Sequence, residues 1–322
     1  MKMEEVTALL GSDWTAVREL TCSVLSSDIP LLRSVNDSLL SNPGKQLRPM
    51  LALLVAGALG KVNQDSIHYA AAAELLHNAT LLHDDVVDRS ATRRGKPTVA
   101  SMLGSTPAVL IGDFWLSKAV DTIVVTRHQN IVTPLFSRTL ADLAEGEMLQ
   151  LEKSMSADTT EEDYLRIVYC KTASLFETAC GSAAVSVDAR PECIDAAERF
   201  GRAAGIAFQI RDDILDYGTS AEIGKPVGSD LGERKITLPL LGALKDSPDE
   251  QRIRSLVAGI EQNPDNCLLV RDFVISGGGI EYATRRLGDF VDEALAALDA
   301  FPSSDQKSML QEFARFIAIR SI

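Results

Sequence analysis

The stretch SIHYAAAAELLHNATLLHDDVVD, Ser66 to Asp88, decides how the rest of the chain is read. It contains no glycine or proline, and its polar residues recur at helical spacing. Alanine and leucine, which lose little on entering a helix, fill the positions between. The spacing predicts one long helix, apolar for most of its length, that emerges from the core at a block of carboxylates. Asp84 and Asp88 stand four residues apart and share a face, with Asp85 beside them. His77 lies about two turns earlier on the same stripe. Thr80 lies one turn before Asp84 on that stripe, and Ala79 points further away from it.

Outward from this helix, the acid is followed at once by base. Arg89, Arg93, Arg94 and Lys96 crowd the segment that closes in RRGKP, Arg93 to Pro97. Far downstream FQIRDDILDY, Phe208 to Tyr217, repeats the aspartate spacing as Asp212, Asp213 and Asp216, with Gln209 on the same helical stripe. A lone DDxxD turn is most simply a solvated helix end, and a lone lysine or arginine an ordinary surface charge. The duplication of the spacing and the apolar flanks LLH and FQI move the reading towards a site. Two like charges ~6 Å apart repel by roughly 3 kcal/mol at an effective dielectric of about 20. Several such pairs facing one cleft therefore call for cations. Hard oxygen ligands favour Mg²⁺, which binds through one or two carboxylates, keeps waters and bridges to phosphate oxygens. Guanidinium forks at Arg93 and Arg94 suit phosphate. Lys45 and Arg48 in SNPGKQLRP, and Lys225 and Lys235 in GKPVGSDLGERKITLP, add more positive charge than one diphosphate needs. Two phosphate subsites are expected, one built through metal and one directly by Arg, Lys and His77.

The whole-chain properties agree. Only 5% of the 322 residues are aromatic against 46% apolar overall, a composition that favours helices over sheets. A single all-α domain of about a dozen helices, residues 1–322, is expected. Thr159 and Glu162 have the spacing of a capping box, opening a helix that closes near Gly181. Pro107 and Pro134 suit helix starts. Ser41–Pro49, Arg93–Pro97 and Gly218–Pro239 read as loops, and no alternating strand is evident. Five scattered cysteines without a CxxC pair argue against a disulfide framework or zinc site and suit a reducing, cytoplasmic setting. The start MKMEEVTALLGSDW is no signal peptide, and apolar runs such as Met50–Gly60 are too short for stable membrane insertion. A net charge of −13 argues against nucleic acid as a partner.

Taken in order, GKQLRP, ELLH, LLHDDVVD, RRGKPT, GDF, AEGE, KTASLFE, FQIRDDILDY and GSDLGERKITLPL resemble the successive motifs of the trans-polyprenyl diphosphate synthase family, of octaprenyl or solanesyl type. The resemblance covers roughly Pro43 to Leu240. It implies an all-helical isoprenoid synthase fold around a deep central cavity, usually a homodimer, that joins an allylic diphosphate (geranyl, farnesyl or geranylgeranyl) to isopentenyl diphosphate head to tail. It assigns Asp84, Asp85, Asp88, Asp212, Asp213 and Asp216 to Mg²⁺. Lys45, Arg48, His77 and Arg94 match positions that hold isopentenyl diphosphate. Arg93, Lys171, Thr172, Gln209, Lys225 and Lys235 match those contacting the allylic substrate. Lys171, Thr172 and Gln209 would place a positive group, a backbone carbonyl and a side-chain dipole near the allylic cation. The released diphosphate would take the final proton. The family usually has a basic residue where Gln46 stands and a glycine where Arg234 stands. Short-product members carry aromatic rings at the positions of Ala79 or Thr80, as a cavity floor. Both are small here, so a long product, about C30 to C50 and near C40, of the kind used for quinone side chains, is expected.

Two other readings share some of these residues. A class I terpene cyclase also carries DDxxD, but its second metal motif mixes Asp or Asn with Ser, Thr and Glu, and it needs no second diphosphate site. A non-catalytic subunit of a prenyl synthase pair is expected to have lost aspartates, and both clusters are intact here. Arg320, near the C-terminus, would either close over substrate or stay solvated.

Overall fold

The computed structural model of the chain describes residues 2–41, 44–93, 95–218 and 228–319, and helices account for nearly all of its regular structure, as the composition predicts. By contact density the chain sorts into two compact units. One comprises Met1–Ser137, Thr178–Ala197 and Ala300–Leu310; the other comprises Arg138–Glu177, Glu198–Asp299 and Gln311–Ile322.

The first unit contains α1 (Met3–Val24), α2 (Pro30–Leu40), α3 (Leu47–Leu59), α4 (Gln64–Val87), α5 (Val99–Leu103) and α6 (Ser105–Val124). α3 is apolar nearly all round and buried from Met50 to Ala56, the pattern of an interior helix. α4 matches the predicted helix. Its alanines Ala70 to Ala73 are fully buried, and their small side chains let α3 and α6 pack close against it. Asn63 caps α4: its Oδ1 accepts from Ser66 N at 3.1 Å, and its Nδ2 donates to Ser186 O at 2.6 Å. α6 can approach the acidic end of α4 because residue 112 is glycine. A Cβ there would stand 2.3 Å from His83 Nε2. A two-residue antiparallel pair, Thr92–Arg93 with Lys96–Pro97, follows α4. It spans the segment read as the loop Arg93–Pro97, and strands this short carry no alternating pattern.

The second unit draws on α7 (Gln129–Ser156), α8 (Glu161–Val168), a π-helical turn (Tyr169–Ala173), α9 (Ser174–Ser186) and α10 (Pro191–Asp216). It continues through α11 (Ser229–Gly232), α12 (Leu238–Leu244), α13 (Glu250–Ala258), α14 (Asn266–Ser276) and α15 (Gly279–Ala297), and takes the end of α16 (Asp305–Ile319). α10 presents residues 201, 205, 209 and 213, four apart and so on one stripe, to the run from α8 to α9. A Cβ at Gly201 would meet Phe176 O at 2.5 Å, and one at Gly205 would meet Ala173 Cα at 2.6 Å. Gln209 then reaches Thr172, and Asp213 reaches Tyr164. Partner numbers fall as α10 numbers rise, so the pairing is antiparallel.

Several boundaries differ from the sequence reading. Pro134 lies inside α7 rather than at its start. α3 begins at Leu47, within the stretch read as the loop Ser41–Pro49, and α11 and the first residues of α12 fall within Gly218–Pro239. The cap of α8 is Thr160 with Asp163, not Thr159 with Glu162. Asp163 accepts from Thr160 N at 3.0 Å and Oγ1 at 2.8 Å, and Lys153 Nζ joins it at 3.0 Å. Thr159 is buried instead, and its carbonyl accepts from Arg254 Nη1 at 3.2 Å. The helix also passes through Gly181 to Ser186. Gly181 is buried, and the Ser186 hydroxyl pairs with that of Ser66 at 2.6 Å. Contacts to other elements thus carry the helix past a residue that would end it in isolation.

Candidate active site

The first acidic block divides its labour by exposure. Asp85 is buried and Asp84 half-buried, while Asp88 is exposed and serves as the C-cap of α4. The hairpin returns Arg93 to this helix, where its Nε donates to Asp85 Oδ1 at 2.8 Å. Arg93 is therefore oriented by the acidic block that precedes it. One residue earlier, His83 Nε2 lies 3.3 Å from Asp113 Oδ1 on α6, the aspartate of the GDF motif. His77 and Thr80 lie half-buried upstream on α4, and Thr80 Oγ1 donates to His77 O at 2.8 Å. Ala79 is buried at 1% exposure.

The basic loop before α3 separates into a turn and a helix start. Lys45 is exposed in the turn, and Arg48 sits in the first turn of α3. Burial lowers the Arg48 guanidinium to about 10, partly offset by the carboxylate of Glu74. It keeps its charge at neutral pH. Arg94, Lys225 and Arg320 lie outside the described residues.

The second block is wired more tightly. Thr172 Oγ1 donates to Gln209 Oε1 at 2.9 Å, and Gln209 Nε2 donates to Asp213 Oδ1 at 2.8 Å. Tyr164 OH donates to Asp213 Oδ2 at 2.6 Å. Asp216 Oδ1 accepts from Ser229 N and Oγ, and its Oδ2 from Asp230 N at 3.0 Å, so the start of α11 is moored to the end of α10. Lys171, in the π-helical turn, pairs with Glu147 at 2.5 Å. Lys235 pairs with Glu233, and its backbone N–H donates to Asp230 O at 2.8 Å.

Sequence reasoning did not single out Tyr164, Glu147 or Asp230 as site residues. Glu147 and Asp230 lie in AEGE and GSDLGERK, motifs that were recognised for their other residues. Tyr164 carries no local signal: a tyrosine on the apolar stripe of a short helix reads as core.

The donors suit a divalent metal. Burial raises the Asp213 carboxyl well above the usual range, Asp230 and Asp212 push it further, and the hydrogen bonds from Tyr164 and Gln209 oppose the rise. The Asp230 carboxyl is likewise raised, by burial and then by Asp216, against Lys235 and Lys171. Negative charge is therefore held here at a cost that a cation relieves. Among the described residues no three Asp, Glu, His or Cys side chains stand grouped around a common point for an ion. A hard ion such as Mg²⁺ does not need such a cage, because one or two carboxylates suffice when phosphate oxygens and water complete its shell.

The chain matches the family described as Polyprenyl synthetase over residues 29–269. It is 37% identical over 313 residues to the octaprenyl diphosphate synthase of Escherichia coli (strain K12), covering 96% of each chain. A crystal structure of a decaprenyl diphosphate synthase from Rhodobacter capsulatus superposes with a TM-score of 0.93 at 34% identity over 100% of both chains. A polyprenyl synthase from Caulobacter crescentus, complexed with calcium and isoprenyl diphosphate, gives 0.91 at 34% identity, covering 100% of this chain and 98% of the other.

Proposed function

The chain belongs to the polyprenyl synthetase family, and on that premise we propose how its own residues divide the reaction. It is a trans-polyprenyl diphosphate synthase, a prenyltransferase that condenses an allylic diphosphate with isopentenyl diphosphate to a long-chain product and releases diphosphate. Enzymes of this family use a divalent metal; for this chain we take it to be Mg²⁺, with Asp84, Asp85, Asp88, Asp212, Asp213 and Asp216 as the carboxylates that serve it. When bound, the ion supplies positive charge to the departing diphosphate.

The rest follows from the side chains. Arg93, Lys171 and Lys235 bind the allylic diphosphate, joined by Lys225. Preorganised cationic groups of this kind stabilise charge as it builds on the leaving group. Lys45, Arg48, His77 and Arg94 hold isopentenyl diphosphate. Arg48 suits that role because it stays protonated despite burial, so its charge is weakly screened. Thr172 and Gln209 turn oxygen dipoles towards the allylic cation, and holding both reactants in place makes the condensation effectively intramolecular. The observation that carries this assignment is the unbroken hydrogen-bonded run Thr172–Gln209–Asp213, which joins the proposed cation-stabilising pair to the acidic block.

Thr80, with Ala79 behind it, leaves room for the growing chain and sets a product near C40, for a quinone side chain. The enzyme acts as a cytoplasmic homodimer. Exposed apolar side chains on α6, among them Leu110, Val120 and Val124, support the dimer. Among the described residues no helix is long and apolar enough to cross a membrane. Mass spectrometry after incubation with farnesyl diphosphate, isopentenyl diphosphate and Mg²⁺ tests the assignment. A polyprenyl diphosphate near C40 is expected, with formation abolished by a chelator and restored by Mg²⁺. Full turnover without divalent ions would overturn the metal role. A cyclised hydrocarbon formed without isopentenyl diphosphate would overturn the reaction.

A further inference from the structure

The proposed cation-stabilising pair, Thr172 and Gln209, presents a problem of orientation. A glutamine amide can turn over and exchange its oxygen for its nitrogen, which would offer an N–H where an oxygen dipole is needed. In this chain the amide has a fixed sense. Its nitrogen is committed to Asp213 Oδ1 at 2.8 Å, which leaves its oxygen to accept from Thr172 Oγ1 at 2.9 Å. The sense therefore depends on Asp213 being an acceptor in a fixed pose. That carboxylate is buried, and its second oxygen accepts from Tyr164 OH at 2.6 Å.

Tyr164 is itself held firmly. Its side chain is buried at 3% exposure, on α8 one turn beyond Glu161. Glu161 accepts from Tyr282 OH at 2.5 Å and from Arg286 Nε at 3.0 Å, both on α15. The Tyr282 ring lies against α12 at Gly242, where a Cβ would stand 2.6 Å away. The start of α8 is thus pinned, and the tyrosine hydroxyl has a defined position from which to reach Asp213.

We infer that Tyr164 is a positioning residue for the condensation: through Asp213 it locks the amide of Gln209, so that the oxygens of Gln209 and Thr172 keep their orientation towards the reacting carbons. This deepens the role proposed above for Thr172 and Gln209 and rests on it. Tyr164 touches neither substrate nor metal in this scheme. Removing its hydroxyl leaves Asp213 with one orienting donor fewer and frees the carboxylate, and hence the amide, to turn.

The test is a kinetic cycle with Tyr164→Phe, Gln209→Leu and the double variant, each at saturating Mg²⁺ and isopentenyl diphosphate. Tyr164→Phe keeps the ring, so the core of α8 is retained. It is expected to lower kcat about tenfold to a hundredfold, the range for losing a hydrogen bond to a charged group, with KM for the allylic substrate changed less than about twofold. In the Gln209→Leu background the same change should alter kcat less than about twofold, because the group it orients is gone. An equal fall in both backgrounds, or a rise in KM with kcat unchanged, would overturn the inference, as would unchanged kinetics in Tyr164→Phe alone. If Gln209→Leu itself leaves kcat intact, the role assigned to the pair is overturned instead. Should the phenylalanine variant not fold, Tyr164→Met serves the same cycle, since its flexible side chain fills the space without a hydroxyl.

Discussion

Thr80 and Ala79 are neighbours in the chain with opposite surroundings. Thr80 is half-buried, and Ala79 lies in the core at 1% exposure. A ring at Thr80 projects along the stripe that carries Asp84, whereas a ring at Ala79 has to displace packed side chains. Thr80→Phe is therefore expected to shorten the product by at least one isoprene unit with little loss of stability, read by mass spectrometry. Ala79→Phe is expected to destabilise the fold by about 1–3 kcal/mol, read by urea denaturation. An unchanged product from Thr80→Phe would remove the floor argument. Arg234 makes a different demand, on the backbone. Its φ is +58°, a conformation that costs a residue with a Cβ roughly 1–2 kcal/mol. Its ion pair with Glu261, at 3.4 Å and with the glutamate largely in water, returns little. Arg234→Gly, which removes the Cβ from this left-handed backbone position, is expected to raise stability by about 0.5–1 kcal/mol. A fall in the denaturation midpoint would contradict this.

At the scale of the element, the start of α8 shows how neighbours select among locally equivalent residues. Thr159 and Thr160 are followed by Glu161, Glu162 and Asp163, so more than one capping register is available to an isolated segment. Lys153 from α7 favours Asp163, and Arg254 from α13 draws on the carbonyl of Thr159. Thr160→Ala is expected to cost about 1 kcal/mol, the usual loss for a cap. Burial alone would lift the Asp163 carboxyl. The Thr160 N–H and hydroxyl and the Lys153 ammonium outweigh it and hold the group below its ordinary value. A carboxylate depressed in the folded state adds stability above its unfolded pKa of about 4 and loses it as pH falls through the folded value. The difference in stability between the natural chain and Asp163→Asn should thus be largest near neutrality and shrink below about pH 4. A gap that widened on acidification would refute this sign. The long helix α4, and the two aspartate stripes on α4 and at the end of α10, were legible in the sequence because 3.6-residue periodicity is local. The register of the α8 cap and the continuation of α9 past Gly181 were not, since each depends on side chains from other helices, and no local pattern marks the π-helical turn at Lys171. Tyr164 stayed hidden for the same reason: only the arrival of Asp213 distinguishes it from a core tyrosine.

For the molecule as a whole, a chain with a net charge of −13 repels its own copies, so association needs a specific apolar face. α6 offers one: Leu110 is 62% exposed, and Val120 and Val124 are exposed along the same helix, with Val125 at 71% just beyond its end. Scattered apolar side chains on a surface need no explanation, but a row along one helix does. The opposite side of α6 packs on α4, where Gly112 admits His83 beside the first aspartate. A partner resting on α6 would therefore brace the helix that carries Asp84, Asp85 and Asp88. Leu110→Glu combined with Val124→Glu should convert the proposed dimer to monomers in sedimentation velocity, because it places charges where the faces would meet. The monomers should retain helical content and lose much of kcat, since α6 would no longer be supported from outside. Dimers that survive the double substitution would exclude this face. Monomers with full activity would show that α4 holds its carboxylates without help.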